Sequence, residues 1–225
     1  MVFVKAVALI LSMDKEVLFI SMTSLSMAVT STIIATIPAL FLGTILSIKK
    51  FPGKSIVIII LNSLMAMPTV VIGLIIYSMI SRSGPLGQLG LLFTPWAIII
   101  GQSVLSFPII TSLVYSALSK VDIELTETLD TFGTGRFKKL YMIFRESRIA
   151  VLSAILSGFG RVIGEVGVSM MLGGNIRWFT RTITTTIALE TSKGEFELAL
   201  ALGIVLIFIS FTVNTLLHIG VKSHG

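Results

Sequence analysis

Long runs of apolar residues alternate with short polar segments along the whole chain. Five of the runs reach the roughly 20 residues that a helix needs to cross a hydrocarbon core. They cover residues 17–48, 55–80, 96–118, 149–172 and 196–220. Because a backbone surrounded by lipid must satisfy its own hydrogen bonds, the pattern predicts an all-α integral membrane protein with about five transmembrane helices.

The same pattern divides the chain into three parts. The apolar stretch 2–11 is too short to span a bilayer, and no small-residue cleavage site follows it. We therefore predict an N-terminal segment at 1–16 that is interfacial or forms part of an uncleaved first anchor. A single membrane domain at 17–220 and a tail at 221–225 complete the division.

Three prolines, Pro38, Pro68 and Pro108, fall inside the first three runs. Each removes a backbone donor, so we expect each to kink its helix. Such kinks either serve a flexing pathway or are ordinary membrane-helix prolines that neighbouring helices accommodate. The second interpretation is favoured for any one of them.

Composition narrows the classes of function. Hydrophobic residues make up 54% of the sequence and charged residues 12%, which excludes an ordinary soluble domain. The net charge of +6 arises in short loops between apolar runs, which argues against nucleic acid as a partner. Cysteine is absent, no phosphate-binding loop of the P-loop type occurs, and the two histidines lie near the C-terminus without a catalytic spacing. We therefore expect no catalytic residue, metal site or bound cofactor in this chain.

The distribution of positive charge predicts the orientation. Ten of the 17 Lys and Arg residues fall in connections on one side of the bundle, six fall on the other, and Arg161 lies within a run. The richer side is usually cytoplasmic, so we expect the N-terminus outside and the C-terminus in the cytoplasm.

A charged island separates the third run from the fourth, and residues 122–133 within it have the pattern of a short amphipathic helix. Leu125, Leu129 and Phe132 share one face, Asp122 is a suitable N-cap, and Gly133 is a suitable stop. A short helix with an apolar face on the cytoplasmic side can dock into a groove on a soluble partner.

These residues also match the coupling motif of ABC importer permeases, which reads Glu-Ala-Ala, three residues, Gly, nine residues, Ile, one residue, Leu-Pro. Glu127, Gly133 and Ile143 have the spacing of that motif. Residues 128–129 are Thr-Leu where the motif has two alanines, and residues 145–146 are Arg-Glu where it has Leu-Pro. The chain therefore resembles an ABC importer permease.

The resemblance covers roughly residues 17–220 and is strongest to the tungstate branch, which shares the departure from Leu-Pro. The segments that carry it are 81–87, 145–148, 158–161, 164–167, 173–176 and 189–194. It implies an inner-membrane permease with the type I ABC importer fold. Tungstate is the implied cargo, with molybdate or sulfate as the alternatives.

The resemblance also implies partners. They are a second copy of the chain, cytoplasmic ABC ATPase subunits that carry ATP-Mg, a periplasmic or other extracytoplasmic substrate-binding protein, and membrane lipid. The residues expected to contact the ATPase are Glu124, Leu125, Glu127, Thr128, Leu129, Phe132, Gly133 and Arg136.

Two further groups of residues are candidates for the pathway. Arg161 and Glu165 stand four residues apart in an apolar run, where charges are costly and usually pair or face a pathway. With Gly164 and Gly167 they are predicted to form a gate, and the alternative is a purely structural ion pair.

Near the outer mouth, Arg177, Arg181, Thr182 and Thr184 offer the positive charge and hydroxyl groups that suit an oxyanion. A polar surface loop is the alternative for this segment. For the whole chain, the rival functions are an ATP-independent secondary transporter or channel, and a membrane anchor for a cytoplasmic complex.

Overall fold

A computed structural model describes residues 2–121 and 135–222, without the side chains of residues 136–137 and 216–222. Within these ranges the chain is helical, as predicted, and one short 3-10 turn, Gly87–Leu89, is the remaining element. The ten α-helices of the described residues are α1 Val2–Leu11, α2 Lys15–Ile48, α3 Lys54–Met65, α4 Thr69–Ile80, α5 Pro95–Ser119, α6 Arg136–Glu146, α7 Arg148–Ile163, α8 Gly167–Gly173, α9 Ile183–Lys193 and α10 Phe196–Lys222.

Three of the five predicted spans are single long helices. Helices α2, α5 and α10 correspond to the first, third and fifth apolar runs, and each is long and apolar enough to cross a membrane. Pro38 and Pro108 lie inside α2 and α5 without ending them. For these two positions the helix continues through the proline.

The second and fourth runs each consist of two helices separated by a break. The expected kink at Pro68 is confirmed, whereas the break in the fourth run was not predicted. Helices α3 and α4 meet at an angle of 99°, and α7 and α8 meet at 61°. Pro68 explains the first break, since it has no N–H to donate to the preceding turn and it caps α4 instead. Gly164 ends α7 at the second break. The described residues contain up to five spans if each bent pair counts as one.

Helix α5 is the centre of the bundle. In its most apolar stretch 67% of the residues are buried, against 33% in α2 and 17% in α10. Gly101 allows α8 to approach closely, because a Cβ there would lie 2.4 Å from Val168 Cγ1 and 2.6 Å from Leu172 Cδ1. The apolar side chains on the outer faces of α2, α3, α4 and α10 are largely exposed, as contact with lipid or with another membrane protein requires.

The N-terminal segment packs on the last helix. Helix α1 contacts α10, and Lys5 Nζ lies 2.6 Å from Glu197 Oε1. Met13, with a φ of 51°, turns the chain from α1 into α2, and the Asp14 side chain caps α2 by accepting from the N–H groups of Glu16 and Val17. The division at residue 16 stays a prediction.

The close approach at Gly101 generates a stability prediction. We expect Gly101→Ala to lower the free energy of unfolding by about 1–3 kcal/mol, because the new methyl group overlaps Val168 and Leu172. The matched control is Gly203→Ala in α10, where an added Cβ meets no described atom within 4 Å. Thermal unfolding of the purified protein in detergent measures both, and equal stabilities for the two variants would contradict the packing described for α5 and α8.

Candidate functional site

Arg161 and Glu165 form an ion pair at the break between α7 and α8. Arg161 lies in the last turn of α7, and its Nη1 is 2.7 Å from Glu165 Oε2. The other carboxylate oxygen of Glu165 accepts from the N–H of Val168, at 3.3 Å, in the first turn of α8. The Glu165 side chain is 4% exposed and that of Arg161 37%. Glu165 therefore joins two helices through one buried carboxylate.

The predicted gate residues lie together around this pair, but the two glycines differ. A Cβ on Gly167 would lie 3.1 Å from Val70 Cγ2 and 3.3 Å from Glu165 Oε1, so Gly167 is packed inside the chain. A Cβ added to Gly164 would have its nearest described neighbour 4.0 Å away, and one added to Gly160 would have none within 4 Å. This side of α7 is open in the single chain.

A buried polar network that sequence reasoning missed lies one layer away. The Gln102 side chain in α5 accepts from the Ser31 hydroxyl at 3.1 Å and donates to the Val162 carbonyl and to Ser169 Oγ, each at 3.4 Å. It thus links α2, α7 and α8 to the central helix. The signal for it was Gln102 itself, the one amide side chain in the run 96–118.

The loop between α8 and α9 is tightly folded. The carbonyl of Ile176 accepts from the N–H groups of Phe179, Thr180 and Arg181, all within 3.1 Å. Trp178 has a φ of 61°, in the left-handed region that bulky residues rarely adopt. These hydrogen bonds fix the backbone that carries both arginines of the predicted outer mouth.

The two arginines converge on Glu16, in the first turn of α2. Arg177 donates from Nε to Glu16 Oε1 at 2.8 Å and from Nη2 to Oε2 at 2.6 Å. Arg181 Nη1 donates to Oε1 at 3.3 Å. The hydrogen bond and the charge of Glu16 raise the pKa of Arg177 above its ordinary value. Glu16 is a functional candidate that the sequence did not reveal, because it lies 161 residues from Arg177 along the chain.

The two threonines of the predicted mouth are buried and hydrogen-bonded. The Thr182 side chain caps α9 by accepting from the N–H of Thr185. The Thr184 hydroxyl donates to the backbone carbonyl of Glu165 at 2.7 Å. The outer loop and the ion pair at the helix break are therefore joined by a direct hydrogen bond.

The predicted contacts to an ATPase remain predictions. Arg136 begins α6, and its side chain is outside the described part of the structure. The other residues of this group, which lie outside the described residues altogether, are Glu124, Leu125, Glu127, Thr128, Leu129, Phe132 and Gly133.

Comparison with known proteins agrees with this architecture. The family described as binding-protein-dependent transport system inner membrane component matches residues 39–222. The tungstate uptake system permease protein TupB of Peptoclostridium acidaminophilum is 38% identical over 216 residues, covering 96% of this chain and 95% of the relative. TupB of Campylobacter jejuni is also 38% identical over 216 residues, covering 96% of this chain and 90% of the relative.

A solved structure extends the agreement to the fold. The MetNI methionine ABC transporter, in an inward-facing conformation, contains a chain that superimposes with a TM-score of 0.76 at 15% identity. The match covers 94% of this chain and 97% of that one. The predicted type I ABC importer permease fold is thereby confirmed.

The geometry of the ion pair predicts that replacing Arg161 and replacing Glu165 lower the free energy of unfolding by different amounts. We expect Arg161→Gln to lower the free energy of unfolding by about 1–3 kcal/mol, because the Glu165 carboxylate would stay buried without its cationic partner. Glu165→Gln leaves no buried charge, since Arg161 is 37% exposed, and should cost less. The double variant should be more stable than Arg161→Gln alone. Unfolding of the three purified variants in detergent tests this order, and a double variant as unstable as the sum of the two would contradict it.

Proposed function

This chain belongs to the family of binding-protein-dependent transport system inner membrane components, and we propose that it is the permease subunit of an ATP-driven tungstate importer. As a member of this family it is a multi-pass inner-membrane protein that is not itself a catalyst. The tungstate assignment is supported by two relatives named for tungstate uptake, each 38% identical over 96% of the chain. Molybdate and sulfate are the alternative cargoes.

The observation that carries the proposal is the Arg161–Glu165 ion pair, with its buried carboxylate, at a break between two helices. A charged pair in an apolar bundle is costly unless it lines or closes a pathway or stabilises one packing arrangement. Glu165 holds both α7 and α8, so movement of either helix must stretch or break its contacts. We assign the pair to the gate that closes the pathway in one state and opens in the other.

A second copy of the chain completes the pathway in this proposal. The side of α7 that carries Gly160 and Gly164 is open, and small residues there let another helix approach closely. A two-fold homodimer would place two copies of the gate pair around one axis. The described chain provides one half of such an arrangement.

In the proposed cycle, ATP closes two cytoplasmic ATPase subunits, and the amphipathic helix that the sequence predicts at residues 122–133 passes that motion to α6 and α7. An extracytoplasmic binding protein delivers the anion at the opposite face. The N-terminus lies outside and the C-terminus in the cytoplasm, as the excess of Lys and Arg on the α6 side favours. This chain contributes the pathway and the coupling helix, and its partners contribute hydrolysis and capture of the anion.

Uptake of labelled tungstate by cells with and without the gene tests the assignment. We expect energy-dependent uptake that disappears with the gene and persists in an excess of molybdate or of sulfate. Complementation with the intact gene is the control. Uptake unchanged by the deletion would exclude this chain as the tungstate permease, and uptake abolished by molybdate would move the assignment to the molybdate alternative.

Coupling is tested separately at Gly133. We expect Gly133→Leu to leave ATP hydrolysis by the assembled transporter largely intact while tungstate uptake falls at least tenfold, because a bulky residue would prevent the helix end from seating on the ATPase. Gly203→Leu in α10 is the control, since that position has open space around it. Uptake equal to that of the unmodified transporter would refute the coupling role of this segment.

A further inference from the structure

The side chains of Arg177 and Arg181 form a clamp around a single carboxylate, that of Glu16. Arg177 donates two parallel hydrogen bonds to the two oxygens, and Arg181 adds a third, weaker one at 3.3 Å. A planar guanidinium that meets two oxygens side by side is the arrangement with which proteins recognise carboxylate, phosphate and related oxyanions. Here the chain itself supplies the anion.

The carboxylate does not use all the donors of the clamp. Arg181 Nε is buried and has no hydrogen-bond partner among the described residues. A buried donor usually makes a hydrogen bond, and leaving that hydrogen bond unmade costs free energy. A carboxylate offers two oxygens in one plane, whereas a tetrahedral oxyanion offers four in three dimensions. A tetrahedral oxyanion can therefore accept hydrogen bonds from both arginines, including one from Arg181 Nε.

The two arginines also differ in access. The Arg181 side chain is 11% exposed and that of Arg177 58% exposed. One guanidinium is therefore fixed inside the protein, and the other reaches the water outside the predicted spans. An anion arriving from outside can meet Arg177 before it displaces Glu16 from Arg181.

We propose that the Arg177–Arg181 clamp is a binding site for a tetrahedral oxyanion, and that the Glu16 carboxylate occupies it while no oxyanion is bound. This inference rests on the proposed function, because it assigns the anion that the importer carries to a particular site on this chain. No covalent step is involved. The bound anion exchanges one set of charge-assisted hydrogen bonds for another, and Glu16 turns towards water.

Occupancy of the clamp has a structural consequence in the same chain. Glu16 lies in the first turn of α2, so its displacement removes the ion pairs that join the start of α2 to the loop between α8 and α9. That loop continues into Thr184, whose hydroxyl donates to the Glu165 carbonyl at the gate. The clamp and the gate are thus connected through one hydrogen-bonded segment of the chain, which runs from Arg177 to Thr184.

Trp178 provides a reporter for the site. The Arg177 guanidinium lies 5.7 Å from the centroid of the Trp178 ring, and the Phe19 ring lies 5.2 Å from it on a helix that also carries Glu16. Trp96 is the other tryptophan of the chain, so Trp96→Phe isolates the signal. Purified full-length protein in lipid nanodiscs is titrated with sodium tungstate at constant ionic strength, and tryptophan fluorescence is recorded.

We expect a saturable change in fluorescence with tungstate and none with chloride. Glu16→Gln should tighten binding at least tenfold, since the variant removes a competing charge a few ångströms from the anion. Arg177→Gln removes the guanidinium that donates two parallel hydrogen bonds, at a largely exposed position, and should abolish saturation. Glu197→Gln removes a different outer ion pair, with Lys5, and should leave the affinity unchanged.

The outcomes separate this inference from the function on which it rests. No saturable response to tungstate, molybdate or sulfate, or an affinity that Glu16→Gln leaves unchanged or weakens, overturns the clamp as an oxyanion site even where tungstate uptake depends on the gene. Saturation by molybdate or sulfate but not by tungstate, with the same pattern of variants, supports the clamp and overturns only tungstate as the cargo.

Discussion

The structure depends on how polar backbone groups are satisfied where helices break inside an apolar bundle. No water is available in hydrocarbon to replace a lost helical hydrogen bond, so each break needs its own partners. At the first break Pro68 brings no N–H that requires one. At the second, the Glu165 carboxylate accepts from Val168, and Thr184 donates to the Glu165 carbonyl. Glu165 therefore both satisfies backbone groups at the break and carries the charge.

This double role explains why the surroundings of Glu165 are so closely specified. Its carboxylate is buried, so it requires Arg161, and Arg161 must sit at the end of α7 to reach it. A Cβ on Gly167 would crowd this carboxylate, at 3.3 Å from Oε1. The amide of Gln102 then holds the Val162 carbonyl in the last turn of α7 and the Ser169 hydroxyl in α8. The contacts of Glu165 therefore satisfy the backbone, pair a charge and pack two helices at the same break. A change in one of these contacts is expected to alter the others.

Hydropathy was sufficient to predict the all-α class and the long helices α2, α5 and α10, because these depend on runs of apolar residues. Hydropathy alone did not locate the breaks, since a bent pair of helices and a straight one bury residues of the same polarity. Pro68 indicated the first break, and the break at Gly164 was not predicted. The Arg161–Glu165 pair was accessible from a spacing of four residues. The partner of Arg177 and Arg181 was not, because the contact with Glu16 depends on how distant segments pack. The capping of α9 by Thr182 is local in sequence, but its burial is a property of the assembled bundle.

The ion pairs of the N-terminal segment impose an order on the folding of this protein during its synthesis. Lys5 must wait for Glu197, 192 residues later, and Glu16 must wait for Arg177, 161 residues later. Until the last helices emerge from the ribosome and enter the membrane, both charged ends lack their partners. Before that point the chain is held by the packing of the earlier helices around α5, and closure of the fold is a late, long-range event. A truncated chain that ends before α10 would leave Lys5 without Glu197 and α1 without the helix on which it packs.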